Sequence, residues 1–253
     1  MIEIKKNIAL IDGDAIPWIV THNKKLVDEN GNEFLENKDL NTCILETNDI
    51  IKNILLRCDT DSYIIGLTEG KNFRHEIYPL YKANRAGKEL PLYFREAKQY
   101  IKDIHKPVIR DNYECDDVIV SLKTELTKLG YNPILCSHDN DILKLEGKNF
   151  NIRKFEWEEI SKEQAYIKFY HDLAVGQPGD NIKGIERFGE KAWENLKDIY
   201  YLSNDTLESL VFDNYLSKYG IKQGLENMLL NYKLLKIIDN LAIDNPEELI
   251  QKL

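Results

Sequence analysis

Short apolar runs that stop at carboxylates are the feature that most restricts how this chain can fold. Asp12 follows the run in NIALIDGDA, and Asp139 and Asp141 in SHDNDIL follow NPILCS. Glu114, Asp116 and Asp117 sit in ECDDVI at the start of a helical pattern, and Asp180 lies in PGDNIKG. Three of these four motifs follow or adjoin an apolar run. In an α/β fold such acids converge at the carboxyl edge of one sheet, where open sheets bind ligands. Carboxylates gathered in one place repel one another unless a cation sits among them. An all-oxygen donor set, with no His or Cys at metal spacing, points to magnesium or manganese rather than zinc.

The remaining sequence agrees with such a fold. A chain of 253 residues with 43% apolar content is long enough for a main domain and a smaller appendage. It has no apolar run of about 18 residues, and MIEIKKNIALIDGD enters a strand with no secretory segment, so a cytoplasmic protein with no membrane partner is expected. Cys43, Cys58, Cys115 and Cys136 lie in apolar patterns without C-x-x-C spacing, which predicts buried, reduced thiols. The net charge of −9 argues against a polyanionic partner when taken whole. From Lys71 to Arg110, however, ten Lys or Arg face four acids, a local balance of +6. A basic segment in a chain with an acidic metal cluster is the charge layout of a protein that grips a phosphate backbone and does chemistry on it.

Periodicity predicts a strand at Ile8–Ile11, a helix over Leu40–Arg57 and a buried strand at Ser62–Leu67. A helix over Glu89–His105, a short strand at Lys106–Arg110, a helix over Glu114–Leu129 and strands at NPILCS and Asn149–Phe155 follow. This alternation predicts a mostly parallel sheet with helices on both faces. From Glu159 onward the pattern is helical, so the expected domains are an α/β core over 1–158 and a helical region over 159–253.

Each acidic motif has a plain structural reading. Acids in a first helical turn suit the macrodipole, so one acid of ECDDVI could simply cap its helix, and Asp139 and Asp141 could belong to a solvated turn. Read alone, Asp12-Gly13-Asp14 after a strand would also suit a haloacid-dehalogenase-like phosphatase with an aspartyl-phosphate intermediate. Neither reading gives a purpose to the basic segment.

IDGDA, FRHEIYPLYKANRAG, ECDDVI, SHDNDILKL and GQPGDNIKGIERFGEKAW, in that order, resemble the 5′-nuclease superfamily: flap endonucleases, the 5′ to 3′ exonuclease domain of bacterial DNA polymerase I, and phage 5′-exonucleases including those called ribonuclease H. The resemblance spans residues 7 to 200 and implies a PIN-like 5′-nuclease core. It implies that Asp12, Glu114, Asp116 and Asp117 serve a first metal site and Asp139, Asp141 and Asp180 a second. Lys82 and Arg85 match residues that contact the scissile phosphate, and Tyr81 an aromatic that stacks on a terminal base. With Asp116 they form the implied catalytic set. Residues 86–106 correspond to a helical arch for a single-stranded 5′ end, in which Lys88, Tyr93, Arg95, Lys98 and Lys102 would bind DNA by charge and stacking. Residues 174–198 resemble a helix-hairpin or helix-three-turn-helix module, with Gly184, Arg187, Gly189 and Lys191 at the duplex and a potassium ion at the hairpin.

The resemblance thus implies a nuclease using one or two magnesium ions, with manganese able to substitute. It would act as a monomer on branched or 5′-ended DNA and RNA–DNA duplexes, beside other replication proteins. Three departures qualify it. Leu67 or Thr68 stands where the family commonly has an Asp after the second strand, Gln177 stands where a further Asp is frequent, and Arg187 replaces the middle Gly of the hairpin. A catalytically weakened binder of branched DNA is the alternative that these gaps motivate. Asp14 lies outside the usual ligand pattern.

Overall fold

The computed structural model describes residues 6–23, 25–35 and 38–253. Residues 1–5, the start of the stretch expected to run into the first strand, lie outside them. The chain forms two compact units. Unit 1 takes the chain up to Gly70, Glu89–Glu159 and Ile238–Leu253; unit 2 takes Lys71–Lys88 and Ile160–Ile237.

The elements run β1 (Asn7–Asp12), α1 (Ala15–Thr21), β2 (Lys25–Val27), β3 (Glu33–Leu35), α2 (Leu40–Arg57), β4 (Ser62–Gly66), α3 (Phe73–Ile77), α4 (Phe94–His105) and α5 (Cys115–Lys128). They continue with β5 (Asn132–Ser137), α6 (Asn140–Leu143), β6 (Gly147–Asn151), β7 (Glu156–Ile160), α7 (Lys162–Val175), α8 (Glu190–Leu202), α9 (Leu207–Tyr219), α10 (Ile221–Leu235) and β8 (Gln251–Lys252).

Unit 1 is built on a six-stranded sheet of order β7-β6-β5-β1-β4-β8. β1 pairs in parallel with both β4 and β5, and β5 with β6, so the sheet is mostly parallel as predicted. Ile8 to Ile11 are at most 1% exposed, as a central strand covered on both faces requires. α2 begins where the Asp39 side chain accepts the Thr42 amide at 2.7 Å. Its Cys43, Thr47, Ile50, Ile51, Ile54 and Leu55 recur at helical spacing and form the buried face. Truncating a fully buried member such as Ile51 to Ala would cost about 2–5 kcal/mol.

Several expectations shift. The strand over Lys106–Arg110 contracts to one bridge, between Val108 and Gly66, because Lys106 is left-handed (φ 41°) and Pro107 has no N–H to extend a ladder. The helix over Glu89–His105 begins only at Phe94, after Gly87 (φ 77°) and Pro91. The strand over Asn149–Phe155 forms earlier, as β6, and the unanticipated β7 begins just after a left-handed Phe155. The small β2–β3 hairpin and the antiparallel β8 on β4 have no counterpart in the sequence reading.

The units also divide the chain differently from a single cut near 158. Arg74 is 2% exposed, and its Nε and Nη2 donate to the carbonyls of Leu234 and Lys236, each at 2.9 Å, tying α3 to the end of α10. Lys71–Lys88 therefore folds with the helical unit. Unit 2 is centred on Tyr215, whose hydroxyl donates to the Leu173 carbonyl at 2.6 Å and accepts from Asn231 Nδ2 at 2.8 Å. Trp193, Leu196, Leu207 and Val211 pack around it. All four cysteines are buried thiols, and no helix of the described residues is long and apolar enough to cross a membrane.

Candidate metal centre and phosphate-binding residues

In unit 1 the parallel register sets Asp12 beside Gly66 at the carboxyl edge. The turn after Asp12 comes so close to β4 that a Cβ on Gly13 would lie 2.4 Å from the Gly66 carbonyl oxygen, which only glycine avoids. Asp12 is 4% exposed. Its Oδ1 accepts the amides of Asp14 and Ala15 at 3.1 and 3.3 Å, and its Oδ2 accepts the Ser137 hydroxyl at 2.6 Å. Burial first, and then the charges of Asp14 and Asp139, push the Asp12 carboxyl up to about 6 against the Ser137 hydrogen bond. Ser137 also accepts the Asp139 amide at 2.9 Å, so one hydroxyl links the ends of β1 and β5. Asp139 in turn caps α6 by accepting the Asp141 amide at 2.9 Å.

α5 brings up the third acidic motif. Glu114 is its N-cap, 9% exposed, with half-buried Asp116 in the first turn. Asp117 is fully buried, and its two oxygens accept backbone amides, Glu114 at 3.1 Å and Ile238 at 2.8 Å. Glu114 and Asp117 form a reciprocal capping box, so these two share the capping role open to an acid of ECDDVI. Asp12, Asp14 and Cys115 each offer a donor atom within 4.8 Å of the others. Burial pushes the Cys115 thiol up and keeps it protonated, which leaves the carboxylates as the candidate ligands. Crowded carboxylates at a sheet edge fit a hard divalent cation of the magnesium class.

Thr68, which with Leu67 was a candidate for the position of the expected acid, has all three of its polar groups committed. Its amide donates to Asp14 Oδ2 at 3.1 Å, its hydroxyl accepts the Cys115 amide at 2.8 Å, and its carbonyl accepts Lys98 Nζ at 2.8 Å. Lys98 also donates to Asp14 Oδ1 at 3.0 Å. One turn along α4, Lys102 pairs with Glu69. These two lysines, expected as DNA contacts, are thus held by carboxylates of their own unit, while Arg95 is exposed. Tyr93 is partly buried and packs on the sheet core from a left-handed backbone (φ 66°).

Unit 2 holds the other candidates. Asp180 accepts Arg85 Nη2, lies 3.7 Å from Lys82 Nζ, and accepts the Tyr81 hydroxyl at 3.2 Å. Asn84 Nδ2 donates to the Pro178 carbonyl and Asn181 Nδ2 to that of Leu80, both at 2.8 Å, which fastens the two loops together. Tyr81, the expected stacking aromatic, is 3% exposed and covered by Ile182 and Leu234, so its ring offers no open face in this structure. Gln177, at the second departure, donates to Asp172 Oδ2 at 3.3 Å.

The hairpin between α7 and α8 is set by backbone geometry. A Cβ on Gly184 (φ 55°) would lie 2.5 Å from the Gly176 nitrogen, so this turn requires glycine. Arg187 is left-handed (φ 64°) and exposed. A left-handed backbone at a non-glycine residue carries a strain of about 1 kcal/mol. Gly189 is the N-cap of α8, and Lys88 and Lys191 are exposed. Sequence reading missed Ser137 and the Lys98 pairing with Asp14. A serine closing NPILCS just before the acids of SHDNDIL was the available signal for the first; the second joins distant segments and left none.

Comparison with known proteins gives a consistent family. The model of the 5′-3′ exonuclease, N-terminal resolvase-like domain, matches residues 7–171. The chain is 31% identical over 217 residues to a 5′-3′ exonuclease of Buchnera aphidicola subsp. Acyrthosiphon pisum, covering 77% of this chain and 76% of that one. It is 27% identical over 208 residues to a 5′-3′ exonuclease of Aquifex aeolicus, covering 77% and 71%. A thermostable DNA polymerase I of Thermus thermophilus is 27% identical over 211 residues, covering 76% of this chain but 25% of the polymerase. The fold is similar to that of a bacteriophage T5 flap endonuclease crystallised with DNA and metal ions, at a TM-score of 0.65 and 17% identity over 92% of this chain and 89% of that one. With its matched domain, its relatives and its fold in agreement, the chain belongs to the 5′-3′ exonuclease family.

Proposed function

We propose that this protein is a magnesium-dependent 5′-nuclease, with manganese able to replace magnesium, that hydrolyses phosphodiesters at single-stranded 5′ ends, flaps or RNA primers. The observation that carries this reading is the crowding of Asp12, Asp14 and Asp139 at the carboxyl edge of the sheet in a chain of this family. The kinship with polymerase I supports a task in DNA replication or repair in the cytoplasm. We take the monomer as the working form.

In this reading Asp12, Glu114 and Asp116 would hold the first ion in unit 1, with Asp139 and Asp141 on hand for a second. When bound, the cation neutralises charge on the phosphodiester oxygens and lowers the pKa of an attacking water. Ser137 and the amides of Asp14 and Ala15 hold the Asp12 carboxylate in one orientation, so no reorganisation is needed when substrate arrives. Asp117 holds Glu114 in place by capping α5. Lys82 and Arg85, kept together in unit 2 by Asp180, would bind a backbone phosphate. The hairpin amides around Gly184 and Gly189 suit duplex phosphates, with Arg187 and Lys191 adding charge and a potassium ion as counter-ion.

A second reading, a binder of branched DNA with weakened catalysis, is favoured by the committed hydrogen bonds of Thr68 and Gln177 where the family has acids. One assay separates the two. A 5′-labelled flap duplex and its blunt counterpart are incubated over a magnesium titration, beside Asp116→Asn. A nuclease releases products near the flap junction and loses on the order of 10²-fold or more in rate with the substitution. Flap binding without magnesium-dependent cleavage would establish the binder instead.

A further inference from the structure

At the carboxyl edge of unit 1 a neutral Thr68 and a lysine stand beside the acids. The Lys98 ammonium bridges Asp14 Oδ1 and the Thr68 carbonyl at 3.0 and 2.8 Å. Asp14 is fixed from its other side by the Thr68 amide, and it shares with Asp12 the donor cluster described above. The lysine and Asp14 are both partly exposed, at 27% and 32%, so an ion from solution can reach the same carboxylate.

We infer that Lys98 is a tethered counter-ion of the acidic edge, which a divalent cation must displace from Asp14, so that metal binding loosens α4 from the sheet. The inference rests on the proposed metal-dependent reading. Its physical basis is competition: one Asp14 oxygen is taken by the ammonium and the other by the Thr68 amide, and the ammonium repels a divalent ion brought beside it. Lys98 and Lys102 lie one turn apart on α4 and both pair with carboxylates at this edge, so loss of the Lys98 contact removes half of a two-point clasp. Lys98 would then act as a positioning residue, setting both the ion affinity of the edge and the docking of the helix that carries Arg95.

The test uses the full chain and manganese alone, with free Mn²⁺ counted by its EPR signal and α4 followed by amide hydrogen exchange. Lys98→Gln keeps a donor for Thr68 and Asp14 but removes the charge, and should bind Mn²⁺ about tenfold more tightly than the wild type. Lys98→Arg keeps the charge and should bind as the wild type does. In the wild type Mn²⁺ should speed exchange in α4; in Lys98→Gln exchange should be fast with or without it. Asp116→Asn reports separately on the metal site. Wild-type Mn²⁺ binding that Asp116→Asn abolishes but Lys98→Gln leaves unchanged would overturn this inference and spare the metal-dependent reading. A wild type that binds no Mn²⁺ would overturn both.

Discussion

Asp12 in unit 1 and Asp180 in unit 2 are the same residue in opposite electrostatic settings. Asp12 is buried among other acids, is held by uncharged donors, and has its carboxyl pushed up to about 6. Asp180 is held by a guanidinium, an ammonium and a phenol. No cation is among the donors that hold Asp12; around Asp180 the chain supplies two. In the proposed reading unit 1 is prepared for a cation, whereas in unit 2 Lys82 and Arg85 are kept ready for an anion by Asp180.

The largest expected effect falls on unit 2. Lys82→Ala should slow flap cleavage by about 10²–10³-fold while changing stability by less than about 1 kcal/mol, since a pair 3.7 Å apart and still open to solvent contributes little. Paired rate and urea-denaturation measurements check it, and a large stability loss would show that the Asp180 clasp is structural. Asp12→Asn probes the other side of the comparison. A carboxyl raised from 3.8 to about 6 contributes stability that is fully present below pH 4 and lost as the pH rises through 6. In EDTA the variant should thus exceed the wild type by about 1–3 kcal/mol at pH 8, with the gap closing toward pH 4. Added magnesium should stabilise the wild type alone.

Asp117→Asn sharpens the distinction between acids that await a cation and acids that do not. It sets an NH₂ against one of two backbone amides and should cost about 1–2 kcal/mol of stability with or without metal. Independence from metal is the reading to check by melting in EDTA and in magnesium. The smallest effect belongs to the hairpin. Arg187→Gly relieves a left-handed backbone and should raise stability by up to about 1 kcal/mol, while duplex affinity falls and its salt dependence becomes shallower.

The strands that carry the site were legible because a buried parallel strand needs an uninterrupted apolar run, and each of these runs stops at a polar residue or an acid. The acids themselves were legible from their positions at those stops. What escaped was whatever depends on partners far along the chain. Asp117 looks like its neighbours in ECDDVI until the Ile238 amide is found on it, and Tyr81 looks like an exposed aromatic until Ile182 and Leu234 cover it. Lys98 and Lys102 read as a charged surface for the same reason: sequence shows that a helix face is basic but not which carboxylate it meets. The two-residue β8 is too short to show any alternation.

The amide that completes the Asp117 cap belongs to Ile238, and the edge strand beside β4 comes later still, so unit 1 is interrupted in sequence by nearly all of unit 2. On the ribosome the helical insertion must emerge before these last pieces of the sheet unit exist. The acid-rich edge is therefore held together during synthesis by an unfinished scaffold, with a buried carboxylate still lacking one of its donors. A chain stalled before residue 238 would present the acidic motifs without the contact that fixes the start of α5, and its nuclease centre would be assembled last.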